Sequence, residues 1–442
     1  MSRTPRYLVG ASALGVLALG LTACGPSVGA TESDAAEVDY SSIEPAESIS
    51  FWSNHPGGSM ELEKEFIAGF TEETGIEVEL VTAGANYEEV SQKFQTAQNS
   101  EDIGTMVVVS DATWFTNYAN GSLLPVDDVM EAAGNDVSTY QQTLYDDYLY
   151  EDQHYGVPYS RSTTVFYYNK DHYAQAGLPD KAPETWEEFR ANAEKLKEAG
   201  VAQSPFTFPP ANDYPAWILN NIIWGYGGGW SDEWDMSAMT SPETVEGVTF
   251  AQDLVQDGLA NVSSGTMSDD FAAGATSMMI GSTGSLGGIT EAADFEVGVG
   301  FLPAGPVESE KIVPTGGAGI GISAKASPEE QLAAAEFLAY LTNSENTATF
   351  SENTGYVPVR TDADMSAVYE QNPNFQVAVD QLNTKTRTQD YGRVLLPGGD
   401  LAIATALQEI LTTDVDVTER LQAAQDEMTS LYENDLQPIL EG

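Results

Sequence analysis

The sequence lacks most of what a catalytic or nucleic-acid-binding protein would need. It has one cysteine in 442 residues, so no intramolecular disulfide exists. Its three histidines, His55, His154 and His172, do not stand in a metal-ligand spacing such as His-Glu-x-x-His. It has no Walker loop. Basic residues are scarce: 17 Lys and Arg stand against 68 Asp and Glu, a formal net charge of −51. Such a surface repels nucleic acid and anionic lipid headgroups, which argues against both as partners. The acids are spread along the chain rather than gathered in one block, as in a solvated coat suited to high external salt. Among 68 carboxylates no single acid pair is informative. The thin inventory points to a binding protein with no catalytic residue, metal or cofactor. Long hydrophobic runs are missing too. The one apolar stretch, from Leu8 to Leu21, is too short for a membrane span of roughly 20 residues.

That stretch follows Arg3 and Arg6 and ends in Leu21-Thr22-Ala23-Cys24-Gly25. A short positive segment, an apolar run and small residues before a cysteine resemble a bacterial lipoprotein signal. The resemblance implies that residues 1–23 are a signal peptide, that Cys24 is lipidated, and that the protein is anchored outside the cytoplasm on the cell membrane. Residues 24–47 are rich in Ala, Ser, Glu and Pro, hold no basic residue and show no apolar periodicity. They read as a flexible tether. Without residues 1–23 the chain keeps 68 acids against 15 bases, a net charge of −53.

About 395 residues remain after the tether, too many for one compact core, so two domains are expected. Strand and helix patterns alternate. Ser48–Ser53 reads as a strand, and Met60–Thr74 as a helix stopped by Gly75. Residues 76–81 alternate, Tyr87–Asn99 reads as a helix, and residues 103–109 as a buried strand. The rhythm resumes with helices over 185–199 and 242–258, strands at 277–280, 295–301 and 319–323, a helix over Pro328–Leu341, and a largely helical stretch from Leu401 to Leu436. Alternation of this kind implies an α/β fold with parallel strands.

A few residues suggest a ligand. Gly281-Ser282-Thr283-Gly284-Ser285-Leu286 follows a strand and opens a helix. Small residues let backbone N–H groups approach an anion, and the hydroxyls add donors; a Ser/Thr cap on a tight turn explains the same residues. Arg161 and Arg393 lie beside small or Gly-rich segments, where a guanidinium can clamp a phosphate or carboxylate or merely pair with a surface acid. Tyr214 and Trp217 follow a Pro-rich loop and could line a cleft that holds a sugar, a polyol or a quaternary ammonium group.

At this point the residues resemble a known family. The segment Val157-Pro158-Tyr159-Ser160-Arg161-Ser162-Thr163-Thr164-Val165-Phe166-Tyr167-Tyr168-Asn169-Lys170 looks like the lobe-crossing segment of the family 1 extracellular solute-binding proteins of ABC importers. Thr185-Trp186-Glu187-Glu188-Phe189 is similar to a helix start in that family. The likeness is greatest to its glycerol-3-phosphate-binding branch, through residues 84–88, 282–286, 316–318 and 354–358, and it spans about residues 48 to 438. It implies a two-lobed periplasmic-binding-protein-like fold of type II with a ligand cleft between the lobes. Lobe 1 would comprise 48–161 plus 303–341, and lobe 2 would comprise 162–302 plus 342–442. It further implies that Tyr87, Ser162, Trp217, Ser282, Thr283 and Gly317 contact ligand, that Asp111 binds polyol hydroxyls, and that Tyr356 and Arg393 bind phosphate. There are departures. Asp111 replaces a glutamate, Tyr214 replaces the first tryptophan of an aromatic pair, and Arg161 stands where a small polar residue is usual. The partners implied are glycerol phosphate, a glycerophosphodiester or a sugar, and the permease subunits of an importer. An oligosaccharide-binding protein is the alternative reading, and a secreted hydrolase a remote one.

Overall fold

The computed structural model describes residues 38–100 and 103–441. The signal-peptide reading, Cys24 and the first part of the expected tether lie outside these residues. Residues 38–47, also expected in the tether, are docked on the folded body. Tyr40 is buried in a short turn, its hydroxyl donates to Gln331 Oε1 at 2.6 Å, and the Ala46 N–H donates to the Glu329 carbonyl at 2.9 Å. Among the described residues no helix is long and apolar enough to cross a membrane.

Twelve short strands carry the architecture among the described residues: β1 Ser48–Ser53, β2 Glu77–Thr82, β3 Met106–Ser110, β4 Leu149–Tyr150, β5 Gln153–His154, β6 Val157–Asn169, β7 Ser204–Phe208, β8 Ala260–Val262, β9 Thr276–Ser282, β10 Val297–Gly300, β11 Val313–Ile322 and β12 Thr386–Arg387. Ten of them form one sheet in the order β2-β1-β3-β11-β6-β9-β7-β8, with β10 beside β6 and β12 beside β11. β4 and β5 make a separate hairpin. β1 is parallel to β2 and β3, and β7 is parallel to β8 and β9. Each parallel set uses helical crossovers, as parallel strands require. The middle differs from the parallel expectation, because β6 runs antiparallel to β9, β10 and β11, and β11 antiparallel to β3.

β6 explains how two lobes share one sheet. It is buried at all 13 positions, so it shows no alternation in sequence. Up to Thr163 it pairs with β11, and from Thr164 it pairs with β9. One continuous strand therefore belongs to both lobes. Each lobe has its own aromatic core. Phe70 packs on Phe337 at 5.2 Å in the first, and Phe189 packs on Trp186 and Phe206 at 4.8 and 5.1 Å in the second. Fully burying each such ring contributes about 1.5–3 kcal/mol. Helix ends follow local chemistry. Gly75 stops helix Met60–Thr74 at φ 81°, Thr185 caps Trp186–Ala199, and Ser327 with Glu330 forms a capping box on Pro328–Leu341. Beyond that helix the chain stays against the first lobe for a while. The Arg360 guanidinium donates to the Asp136 carbonyl and Thr139 Oγ1, both at 2.6 Å, and Phe350 lies 4.6 Å from the Tyr159 ring.

Candidate functional site

Ligands of open α/β sheets sit at the carboxyl ends of the strands, and the loops leaving those ends converge here. Gly57 follows β1, Tyr87 opens the helix after β2, Asp111 follows β3, Tyr214 and Trp217 follow β7, Met267 and Ser268 follow β8, and Ser282 ends β9. Together with Ser162, Gly317, Tyr356 and Arg393 they line a cavity of about 340 Å³. Nine of the residues expected from sequence meet there: Tyr87, Asp111, Ser162, Tyr214, Trp217, Ser282, Gly317, Tyr356 and Arg393.

Two expected residues are placed elsewhere. Arg161 is fully buried and does not line the cavity. Successive side chains of a strand point to opposite faces. Ser162 thus takes the cavity side of β6, and Arg161 is turned to the other. There its guanidinium donates to the Tyr148 hydroxyl at 2.8 Å and pairs with the Asp147 carboxylate. Thr283 is also buried off the cavity, where its Oγ1 accepts the Thr163 N–H at 3.4 Å.

The remaining walls have specific geometry. Tyr214 holds a left-handed backbone at φ 56°, uncommon for a bulky residue, just before the turn Pro215–Ile218. The Trp217 indole N–H donates to the Thr315 carbonyl at 2.8 Å, and its ring lies on the Gly316 backbone so closely that a Cβ there would fall 2.5 Å from it. Gly317, at φ 88°, would place a Cβ 2.1 Å from the Ser160 carbonyl. Tyr356 stands against Gly57 and Gly284, each leaving 2.9 Å from an added Cβ to the ring, and its hydroxyl lies 3.4 Å from that of Tyr87. Burial raises the pKa of both phenols, so they stay protonated and able to donate. Ser282 Oγ accepts the Gly284 N–H at 3.1 Å, a local turn bond that uses part of its capacity.

Charge is concentrated on one side. Arg393, whose side chain is 3% exposed, sits between two carboxylates: Asp111 Oδ2 at 3.2 Å and Asp400 Oδ1 at 3.3 Å. Burial raises the Asp400 pKa, Arg393 pulls it down and Asp111 adds to the rise. Asp213, also on the wall, is raised by burial, against the Met267 N–H bond that lowers it. The cavity thus presents one cation and three acids, with hydroxyls, phenols and one indole face. Asp400 and Asp213 were missed in the sequence. Asp400 directly follows the Gly398-Gly399 pair that marked Arg393, and Asp213 directly precedes Tyr214, so both flank segments already singled out. Among the described residues no group of three or more His, Cys, Asp or Glu is placed to hold a metal ion.

The chain and its fold have counterparts in known proteins. A family profile described as bacterial extracellular solute-binding protein matches residues 65–377. The sn-glycerol-3-phosphate-binding periplasmic protein UgpB of Brucella melitensis is 27% identical over 359 residues, covering 77% of this chain and 82% of that protein. The protein of the same name from Escherichia coli strain 536 is 27% identical over 325 residues, covering 69% and 73%. The crystal structure of UgpB from Mycobacterium tuberculosis in complex with glycerophosphocholine superposes with a TM-score of 0.83 at 39% identity, covering 88% of this chain and 99% of that one. The acarbose-binding GacH receptor of Streptomyces glaucescens shares the fold, with a TM-score of 0.76 at 20% identity, covering 88% and 100%. The chain belongs to the bacterial extracellular solute-binding proteins: it is a substrate-binding component of an ABC importer with the type II two-lobed fold, and not an enzyme.

Proposed function

We propose that the protein captures sn-glycerol-3-phosphate or a glycerophosphodiester and delivers it to the permease subunits of its importer. The observation that carries this reading is Arg393, the one cationic side chain among the described residues on the cavity wall, facing the same space as Ser282, Tyr356 and Gly317. A neutral sugar needs no buried guanidinium. A phosphate gains from one, because charge-assisted bonds to it are the strong ones. In this reading Tyr356, Arg393 and the Ser282–Ser285 segment hold the phosphate, Asp111 and Ser162 hold glycerol hydroxyls, and Tyr87, Tyr214 and Trp217 wall the ligand. The likeness to proteins that bind sn-glycerol-3-phosphate and glycerophosphocholine supports it. The three acids favour the diester, since it carries one negative charge where the monoester carries nearly two at neutral pH.

The lobes in this reading are 48–161 with 303–341 and 162–302 with 342–442, the stretch 342–361 lying along the seam. They close on ligand by a hinge at the crossings near 160–164, 299–304 and 340–346. Cys24 carries the lipid that anchors the protein. Cys24→Ala should release it from the membrane fraction while binding persists; retention there would rule out the anchor. The functional reading is tested by titrating the purified protein with glycerol-3-phosphate, glycerophosphocholine and maltose in a calorimeter. Heat from a phosphate compound and none from maltose is expected. The reverse would establish the sugar-binding alternative.

A further inference from the structure

Gln389 does not line the main cavity, yet it touches the residue on which hydroxyl recognition depends. It is 5% exposed, just after β12. Its side-chain Nε2 donates to Asp111 Oδ2 at 2.6 Å and to the Thr315 carbonyl at 2.8 Å. The same Thr315 carbonyl accepts the Trp217 indole N–H at 2.8 Å. Asp111 Oδ2 also receives Arg393 Nη1 at 3.3 Å and Nη2 at 3.2 Å. Three N–H groups from the second lobe therefore converge on one carboxylate oxygen, and none of them uses Oδ1. An ionised carboxylate has about four acceptor sites, so Oδ1 keeps its capacity for a ligand hydroxyl. The Gln389 carbonyl Oε1 is buried with no hydrogen-bond partner among the described residues. A buried amide used on one side only is a poor stabilising device, because the unpaired half is costly. Its geometry serves Nε2.

These contacts come from three parts of the fold. Asp111 stands at the end of β3 in the first lobe, Gln389 follows β12 in the second, and Thr315 lies on β11, one of the strands that joins them. We infer that Gln389 is a positioning residue that makes the grip of Asp111 on ligand hydroxyls conditional on the lobes being together. Anchored to the Thr315 carbonyl, the amide meets Asp111 in the closed arrangement and turns Oδ1 to the cavity. When the lobes part, Asp111 loses the amide and its orientation. The inference rests on the reading of Asp111 as the hydroxyl-binding carboxylate, whether the hydroxyls belong to glycerol or to a sugar.

The test compares Gln389→Met, Asp111→Asn and the double variant, using calorimetry with glycerol-3-phosphate and with n-propyl phosphate, which has no hydroxyls. Gln389→Met should weaken glycerol-3-phosphate by about tenfold and leave n-propyl phosphate within about twofold. The double variant should bind no worse than Asp111→Asn. Equal loss on both ligands, or losses that multiply in the double variant, would overturn the inference. If the wild-type protein binds maltose and no phosphate, the proposed ligand fails, and the same variants titrated with maltose still read the coupling. Gln389→Leu replaces Gln389→Met if the latter does not melt cooperatively.

Discussion

Asp147 pairs with the Arg161 guanidinium and is largely buried, its side chain 11% exposed. Burial dominates and pushes its pKa from 3.8 up to about 6, with Arg161 pulling the other way. Between those two values the folded protein binds a proton that the unfolded chain does not. The stability owed to this group therefore falls as pH rises from 3.8 to about 6 and is level above that. Asp147→Asn carries no charge at any pH and should match wild type most nearly at the low end of this window, where Asp147 is protonated in the folded protein. It should also remove this group's downward slope across the window. Melting temperatures of both proteins at half-unit pH steps check it; parallel curves would contradict the assignment. Arg161 also shows where residue-level reading of the sequence stops. Arg161 and Arg393 sat beside similar small residues and looked alike as anion clamps. Strand alternation turns one away from the cavity and helix Tyr391–Val394 delivers the other into it, and the alternation of β6 was hidden because every one of its positions is buried. Ser282 was legible because it stands where a strand gives way to a helix, whereas Tyr87 and Asp111 were legible only through the family resemblance.

Elements bounded by strong local chemistry were read to the residue. Met60–Thr74 and Pro328–Leu341 have the extents that their glycine stop and Ser-Pro start dictate. β11 was read only over its last residues, 319–323, whereas it runs Val313–Ile322. Its first half, Val-Pro-Thr-Gly-Gly, contains the residue types that usually end a strand. The structure gives the reason for the glycines. Trp217 needs the bare backbone of Gly316, and Gly317 takes a left-handed conformation pressed against the Ser160 carbonyl. Gly317→Ala should therefore cost more than about 2 kcal/mol, since a left-handed backbone penalty of roughly 1–2 kcal/mol adds to a backbone clash. Thermal unfolding should show a melting point several degrees lower, and ligand affinity should fall with it. A variant with wild-type stability would mean that β11 can shift freely at the crossing, contrary to its pairing with β3 and β6 on either side.

At the scale of the molecule, the chain's net charge of −51 surrounds a cavity proposed for an anion. That field slows the approach of a phosphate and is screened by salt, whose Debye length falls from about 30 Å at 0.01 M to about 8 Å at 0.15 M. Stopped-flow association rates for glycerol-3-phosphate should rise across that range. A rate that falls with salt would indicate a steering cationic patch that the composition does not supply. Two lobes were legible from chain length and from the repeated strand-helix rhythm. The antiparallel β6–β11 centre was not, because its partners lie about 150 residues apart in sequence. Holding an anion inside so acidic a protein falls to a few local groups, above all Arg393 between Asp111 and Asp400. The most direct test is the affinity of Arg393→Ala for glycerophosphocholine against wild type by calorimetry, with maltose as the neutral control. The account predicts a loss of about tenfold to several-hundredfold for the phosphate, because a charge-assisted bond contributes roughly 1.5–3 kcal/mol. A variant that binds the phosphate as tightly as wild type, or a wild type that binds only maltose and is indifferent to the substitution, would contradict it.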